Sequence, residues 1–452
     1  MLLRDNPRRI FFLISLDGAL WALMYGLAEH YLVPFALLFN ATPFQVTLLT
    51  GFGQLAIALA HILGGLFILH YRRRQQLCLI GNLSQATSWL LILGAGLFLG
   101  SPIWIIIVYF IGTFVTGFAT PGWLSWMNDI IPSETRGRFW GRRNSVIGVF
   151  QFTAILLGGI ALYAAQRGFL DLMGVFAGLF CLAFLSRAAS WWPIKHTPEP
   201  EMERNEIPVS AHSYLEFFRS DQHRNFTRYI RFIFVINFSM FIMNALLPIQ
   251  ILQTLGCNYL EYMILTMMTN MLTFLFMFYW GPLADRFGNY QILLTCGFFI
   301  LLPPLGWAFS HHFAVLIVFQ LLHGFGWSGV SLAAMNFTFD SHHRHQMPTA
   351  MAVYFAVTNL AAFSGSFMGG FLARYVADFH FWQFSSANLE LIFLISMVGR
   401  LWAVFYLLKQ FKEVRTGLDP VPSQWHLLVY LPARNVFNQI RQLNTWRDNP
   451  RS

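Results

Sequence analysis

Long apolar runs alternate with short polar joints along nearly the whole chain. Twelve runs can be marked, at 10–37, 44–70, 77–99, 102–127, 144–166, 168–193, 227–255, 261–280, 290–310, 312–339, 348–374 and 388–409. An apolar helix of about 20 residues crosses a bilayer, at about 1.5 Å per residue. The pattern therefore predicts an all-α polytopic membrane protein with twelve transmembrane helices. The longest polar interruption, Lys195–Asn225, is rich in Pro, Glu and Arg and reads as a linker. The expected organisation is a six-helix bundle over 1–193, a linker over 194–226, a second bundle over 227–410 and a tail over 411–452. Short interfacial helices are expected around Tyr214–Phe218 and, in the tail, around Val436–Trp446, where apolar residues fall at helical spacing.

The charges orient this array. With the N-terminus placed in the cytoplasm, the 29 Lys and Arg fall in the cytoplasmic joints and tails, except for Arg167, Arg187, Arg374 and Arg400. Both termini are thus expected in the cytoplasm. Composition agrees, with 56% hydrophobic and 11% charged residues, against about 25% charged in a soluble domain. The net charge of +9 belongs to these joints, so it gives no reason to expect a nucleic-acid partner. Cys78, Cys181, Cys257 and Cys296 lie in or beside apolar runs without metal-ligand spacing, and neither a disulfide framework nor a metal site is implied. The basic start of the chain runs into an apolar stretch longer than a signal-peptide core, read as a retained first span.

The two halves echo each other. Trp126-Met-Asn128, a charged joint, then Gly158-Gly159 in the first are answered by Ala334-Met-Asn336, a charged joint, then Gly369-Gly370 in the second. Internal repeats of this kind mark transporters built from duplicated bundles.

The joints carry the most specific motifs. Gly281-Pro-Leu-Ala-Asp-Arg-Phe-Gly288 separates two apolar runs; Gly281 and Pro282 are expected to break the incoming helix, and Gly288 to allow the turn. Ile131-Pro-Ser-Glu-Thr-Arg-Gly-Arg-Phe-Trp-Gly141 joins the fourth and fifth spans. Both resemble cytoplasmic loop motifs of the major facilitator superfamily. The equivalent first-half joint, Gly65–Arg74, keeps a Gly and a basic cluster but lacks the acid. The resemblance covers about residues 10–410 and implies two pseudo-symmetric six-helix bundles that rock about a central cavity lined by helices one, four, seven and ten. It also implies a cytoplasmic latch, for which Asp285, Arg286, Glu134, Arg136 and Arg138 stand in position, flanked by Gly281 and Gly288.

Ionisable groups within a bilayer are costly and need a partner or a task. Glu29 and His30 lie about two-thirds of the way along the first span, at a depth where a titratable group could carry a proton. Asp17 is about 18 Å away by helix rise, nearer the cytoplasm, where it is expected to pair with a cation or to cap a neighbouring helix. His323 completes the proton-coupling candidates. Polar stripes recur at helical spacing: Thr113, Thr116, Thr120 and Trp123; Asn237, Met240 and Asn244; Gln320, His323, Trp327 and Ser331. With Tyr25 they are the cavity candidates, against the plainer alternative of helix-to-helix hydrogen bonding. Arg187 and Arg400 are expected to serve bundle packing or to snorkel.

The favoured reading is a secondary active transporter for a small polar or amphiphilic solute, working as a monomer in a bacterial inner membrane, with protons as the coupling ion. A transport-inactive sensor or a lipid translocase on the same scaffold is the alternative. A membrane enzyme is disfavoured, because no nucleophile elbow, metal motif or phosphate loop occurs, and no cofactor is expected.

Overall fold

In a computed structural model of the protein, the described residues are 7–71, 73–131, 136–200, 223–342, 347–375, 380–381, 384–385 and 389–420. They include twelve helices long and apolar enough to cross a membrane. These are α1 Arg8–Leu37, α2 Pro43–Tyr71, α3 Arg74–Leu99, α4 Pro102–Ile130, α5 Arg136–Gln166 and α6 Leu172–His196. The second bundle has α7 Arg224–Thr254, α8 Tyr259–Phe287, α9 Asn289–Phe309, α10 Phe313–Asp340, α11 Met347–Tyr375 and α12 Glu390–Gln410. A two-residue hairpin, β1 His380–Phe381 with β2 Phe384–Ser385, lies between α11 and α12. The expected interfacial helices near 214–218 and 436–446 lie outside the described residues.

One expectation fails. Gly281 and Pro282 do not break α8, which stays helical to Phe287. Proline removes one N–H, here the partner of the Phe278 carbonyl, and a long helix survives the loss of one bond. The chain turns instead at Gly288 alone, whose φ of 89° suits glycine.

Prolines also shape α1 and α9, and other spans repair the damage. Pro34 leaves the His30 carbonyl without its helical donor, and the Tyr262 hydroxyl of α8 donates to it at 3.4 Å. Pro304 does the same to the Ile300 carbonyl, which accepts from Arg400 Nη1 at 2.8 Å. Arg400 is therefore fully buried as a brace for the bend in α9, and does not snorkel.

The glycine pairs place the two halves. The first member packs within its own half: a Cβ on Gly158 would lie 2.6 Å from Tyr31, and one on Gly369 2.4 Å from the Ile242 carbonyl. The second faces the other half: a Cβ on Gly159 would lie 2.5 Å from Met263 and one on Gly370 1.8 Å from Thr47. The α5–α8 and α2–α11 seams thus rest on a bare backbone at matching positions of the repeat.

Both seams close at the face away from the chain termini. One apolar cluster there draws on both halves, with Tyr31, Phe35 and Trp89 alongside Leu246, Tyr262 and Trp307. Ring pairs Phe44–Phe367 and Phe52–Phe363 add to it, at 5.8 and 6.0 Å. At the terminal face each half keeps its own cluster, Ile10, Trp126 and Ile130 in one and Tyr229, Trp280 and Phe337 in the other. Among the described residues, the halves meet at the far face and separate toward the termini.

Candidate functional site

Helix α1 forms the wall of the resulting cleft. Its Gly18 and Gly26 press against Ile147 and Ala154 of α5. Trp21, Tyr25 and Glu29, at i, i+4 and i+8, are each only partly buried and so share one face. The regular helix stops at Leu27 and a 3-10 turn, Glu29–Tyr31, follows. That turn sets Glu29 toward α4, where the Tyr109 hydroxyl donates to Glu29 Oε1 at 3.0 Å. Thr113 interacts in turn with Tyr109. His30 points to the other half, with Nε2 3.0 Å from Thr266 Oγ1 of α8. Next to it, Gln166 Oε1 of α5 accepts from the Tyr259 backbone N–H at 3.1 Å. His30, Tyr262 and Thr266 therefore form the closed end of the cleft, with Glu29 on its inner side.

The other candidates divide. Asp17 is buried in the first bundle with Arg187, at 3.5 Å. Ser190 also donates to Asp17, while Arg187 donates to Gln85 at 2.7 Å and Asn82 at 2.5 Å. Thr116 bonds the Gly112 and Gly81 carbonyls at 2.8 and 3.3 Å and so ties α4 to α3. Trp123 packs at a tilt against Trp140, ring centroids 5.6 Å apart, under the Arg143 guanidinium at 4.9 Å; Thr120 is partly buried beside them on α4. Asn237 bonds its own helix at 2.9 Å and Met240 is buried, whereas Asn244 Oδ1 has no partner among the described residues. Gln320 donates to the Leu265 carbonyl at 3.2 Å. Its Oε1 and the His323 Nε2 are sealed without partners among the described residues. Trp327 and Ser331 are partly buried, and Ser331 bonds back to the Trp327 carbonyl at 2.8 Å. The structure thus gathers Tyr25, Glu29, His30 and Thr113 into one place and leaves Asp17 and His323 inside the bundles.

At the terminal face the charged joints form two matching collars. In the first half, Arg74 Nη1 donates to Asp129 at 2.5 Å, and the Gln75 N–H donates to Glu199 at 3.2 Å. In the second, Asn289 donates to Asp340 at 2.7 Å, and the Tyr290 N–H donates to Glu413 at 2.7 Å. Corresponding residues lie 211–215 positions apart. Each collar uses a glutamate beyond the sixth span of its half to cap the first turn of the third, where N–H groups lack helical acceptors. The acid missing from the Gly65–Arg74 joint is supplied by Asp129, at the end of α4.

Of the latch candidates, Asp285 pairs with Arg415 at 3.0 Å and Arg286 with Asp419 at 2.6 Å, both with the stretch that follows α12. Arg415 also reaches Asp340 at 2.6 Å. Burial alone would lower the Arg415 pKa, but its hydrogen bonds to Asp340 and Asp285 hold it above the ordinary guanidinium value. A Cβ on Gly288 would meet Glu413 at 2.5 Å, while Gly281 faces open space. Glu134 lies outside the described residues. Arg136 and Arg138 are placed by backbone only, in the first turn of α5. Tyr109, Tyr262, Thr266 and the collar acids Asp129, Glu199, Asp340 and Glu413 were not expected as site residues; the collar acids were signalled by the spacing of the repeat, and Tyr109 by its place one turn before Thr113. A separate nook of about 370 Å³, lined by Thr42, Phe44, Gln45 and Arg374 among others, lies at the far face away from these groups.

Comparison with known proteins agrees with this architecture. The profile described as Major Facilitator Superfamily matches residues 10–366 and, in a second match, 232–441. Among curated protein sequences none matches. Similar solved structures include a mutant of the nucleoside transporter NupG, with a TM-score of 0.70 and 11% identity over 89% of this chain and 100% of that one. A D-xylose–proton symporter gives 0.67 and 16%, over 91% and 99%. A bacterial homologue of the human lysosomal transporter Spinster, inward-facing and unoccupied, gives 0.66 and 14%, over 90% and 97%. At such identities the structures show a shared fold, while the profile spans nearly the whole chain. This chain belongs to the Major Facilitator Superfamily and is a transporter rather than an enzyme.

Proposed function

We propose that the chain is a secondary active transporter that moves a small organic solute by alternating access, with protons as the coupling ion and Glu29 as the group that carries them. The observation behind the reading is the one-sided closure of the two halves. A single apolar cluster seals the far face, and separate clusters leave the terminal face parted around the Trp21–Tyr25–Glu29 stripe. Loop charge supports a cytoplasmic terminal face, so this state opens inward. A carboxylate on the wall of a cleft that opens to either side in turn can take up a proton at one side and release it at the other. The transporter works as a monomer of two bundles, 1–193 and 227–410, in a bacterial cytoplasmic membrane.

The test is a solute screen by thermal stabilisation of the purified protein, followed by flux into proteoliposomes. A ligand of the folded state raises the melting temperature. Hits are expected to accumulate when a proton gradient is imposed and to equilibrate only when it is collapsed. Glu29→Gln is expected to abolish the accumulation. Accumulation by Glu29→Gln equal to that of wild type at every pH would place the coupling elsewhere. Stabilising solutes that never cross the membrane would contradict transport itself.

A further inference from the structure

Glu29 differs from the other described acids of the bundles and collars. Asp17 has Arg187, Asp129 has Arg74, Asp340 has Arg415, and Glu390 has His311 at 3.6 Å. Glu261 is occupied in a capping box with Asn258, and Glu413 by backbone N–H groups, among them that of Tyr290. Among the described residues no Lys, Arg or His pairs with Glu29. Its one hydrogen bond comes from the neutral Tyr109 hydroxyl, to Oε1. Among the described residues Oε2 has no hydrogen bond, and it is not fully sealed. A carboxylate at this depth without a counter-charge is costly, and that oxygen is where a cation could be received.

The surroundings suit a particular kind of cation. Trp21 and Tyr25 precede Glu29 on the same face of α1, with their rings 5.4 Å apart. Tyr109 approaches from α4, while Tyr262 of α8 is buried in the seal behind, with its ring 6.0 Å from that of His30. Tyr25 is the electrostatic neighbour of Glu29, Tyr109 and Tyr262 alike. Aromatic faces attract organic ammonium groups, which shed water more readily than small inorganic ions. A metal ion would need several oxygen ligands, and the described residues contain no group of three His, Cys, Asp or Glu able to hold one.

We infer that the solute carries a cationic nitrogen, an ammonium or quaternary ammonium, which pairs with Glu29 at the closed end of the cleft beside Trp21, Tyr25 and Tyr109. This rests on the reading of the chain as a solute transporter and names the solute's class. An anionic solute would meet the carboxylate's repulsion there. A neutral one could bond the hydroxyls but would leave the charge unanswered.

The test uses the full-length purified chain and three probes with the same ring: benzyltrimethylammonium, benzyl alcohol and benzoate, each titrated by calorimetry. Wild type is expected to bind the cation at least about tenfold more tightly than either other probe, as one charge pair plus aromatic contacts allows. Glu29→Gln should remove that preference, and Glu29→Asp should retain part of it. Tyr25→Leu should weaken cation binding alone. Melting curves without ligand establish that each variant is folded. Equal affinity for the three probes in wild type, or unaltered cation affinity in Glu29→Gln, overturns the inference. Uptake of a neutral or anionic solute by a protein without cation preference sinks this inference and spares the transport reading. Glu29-dependent cation binding without uptake supports the cation site and sinks the transport reading.

Discussion

Arg187 and Asp17 are far apart in sequence yet satisfy each other inside the first bundle, at side-chain exposures of 8% and 9%. Removing one partner of a buried pair leaves the other charge stranded, at about 3–5 kcal/mol, whereas removing both is much milder. Arg187→Met is therefore expected to lower the melting temperature in detergent sharply, and the Arg187→Met/Asp17→Asn double variant to recover most of the loss. Equal melting temperatures for Arg187→Met and wild type would contradict the pairing. The residues of this site were only partly legible. That Asp17 needed a partner followed from burial cost; that the partner is Arg187, rather than the end of a neighbouring helix, depended on packing that hydropathy does not encode. The same holds for Arg400. Its service to the Ile300 carbonyl becomes visible only once Pro304 is seen to vacate that carbonyl in the folded helix. His323 and Gln320 looked like cavity residues because helical spacing gives a face without saying what the face meets.

At the scale of elements, the collars separate acids that look equivalent in sequence. The Asp285 side chain is 74% exposed, whereas Asp340 is 20% exposed and accepts from both Arg415 and Asn289. Exposed ion pairs contribute little, about 0–1 kcal/mol, while each lost hydrogen bond to a partly buried charge costs about 1–3 kcal/mol. Asp340→Asn is expected to destabilise the protein measurably in thermal unfolding, and Asp285→Asn barely at all. The reverse order would contradict the collar geometry. The glycine pairs belong to this scale as well. A side chain on Gly370 cannot coexist with Thr47 at the observed separation. Gly370→Leu should therefore hold the far face open, raising the reactivity there of a cysteine introduced at Thr47. Unchanged reactivity would show that the seam tolerates the bulk. The repeat was readable in the sequence because close backbone contact demands glycine. Which partner each glycine met was not, since that depends on how the halves are docked.

For the whole molecule, twelve spans and the break between α6 and α7 were legible because hydrophobic length is a local property. The continuity of α8 through Pro282 was misjudged, since a proline forfeits one bond and the rest of a long helix holds. The one-sided closure could not be read at all. It is a docking of two bundles, and a transporter must populate more than one such docking. The central claim is that the far face closes in this state and parts in another. The most direct measurement bridges that face. A Cβ on Gly51 would lie 3.1 Å from the Ser366 Cβ, near the spacing of a disulfide, about 3.5–4.5 Å. In a chain without its four native cysteines, Gly51→Cys/Ser366→Cys is combined with Tyr25→Cys. A membrane-impermeant reagent is then applied to either side of oriented vesicles, and mass spectrometry reads labelling at position 25. With the bridge reduced, label should arrive from both sides; with it oxidised, from the terminal side alone. Labelling from the far side through an intact bridge, or no far-side labelling after reduction, would contradict the account.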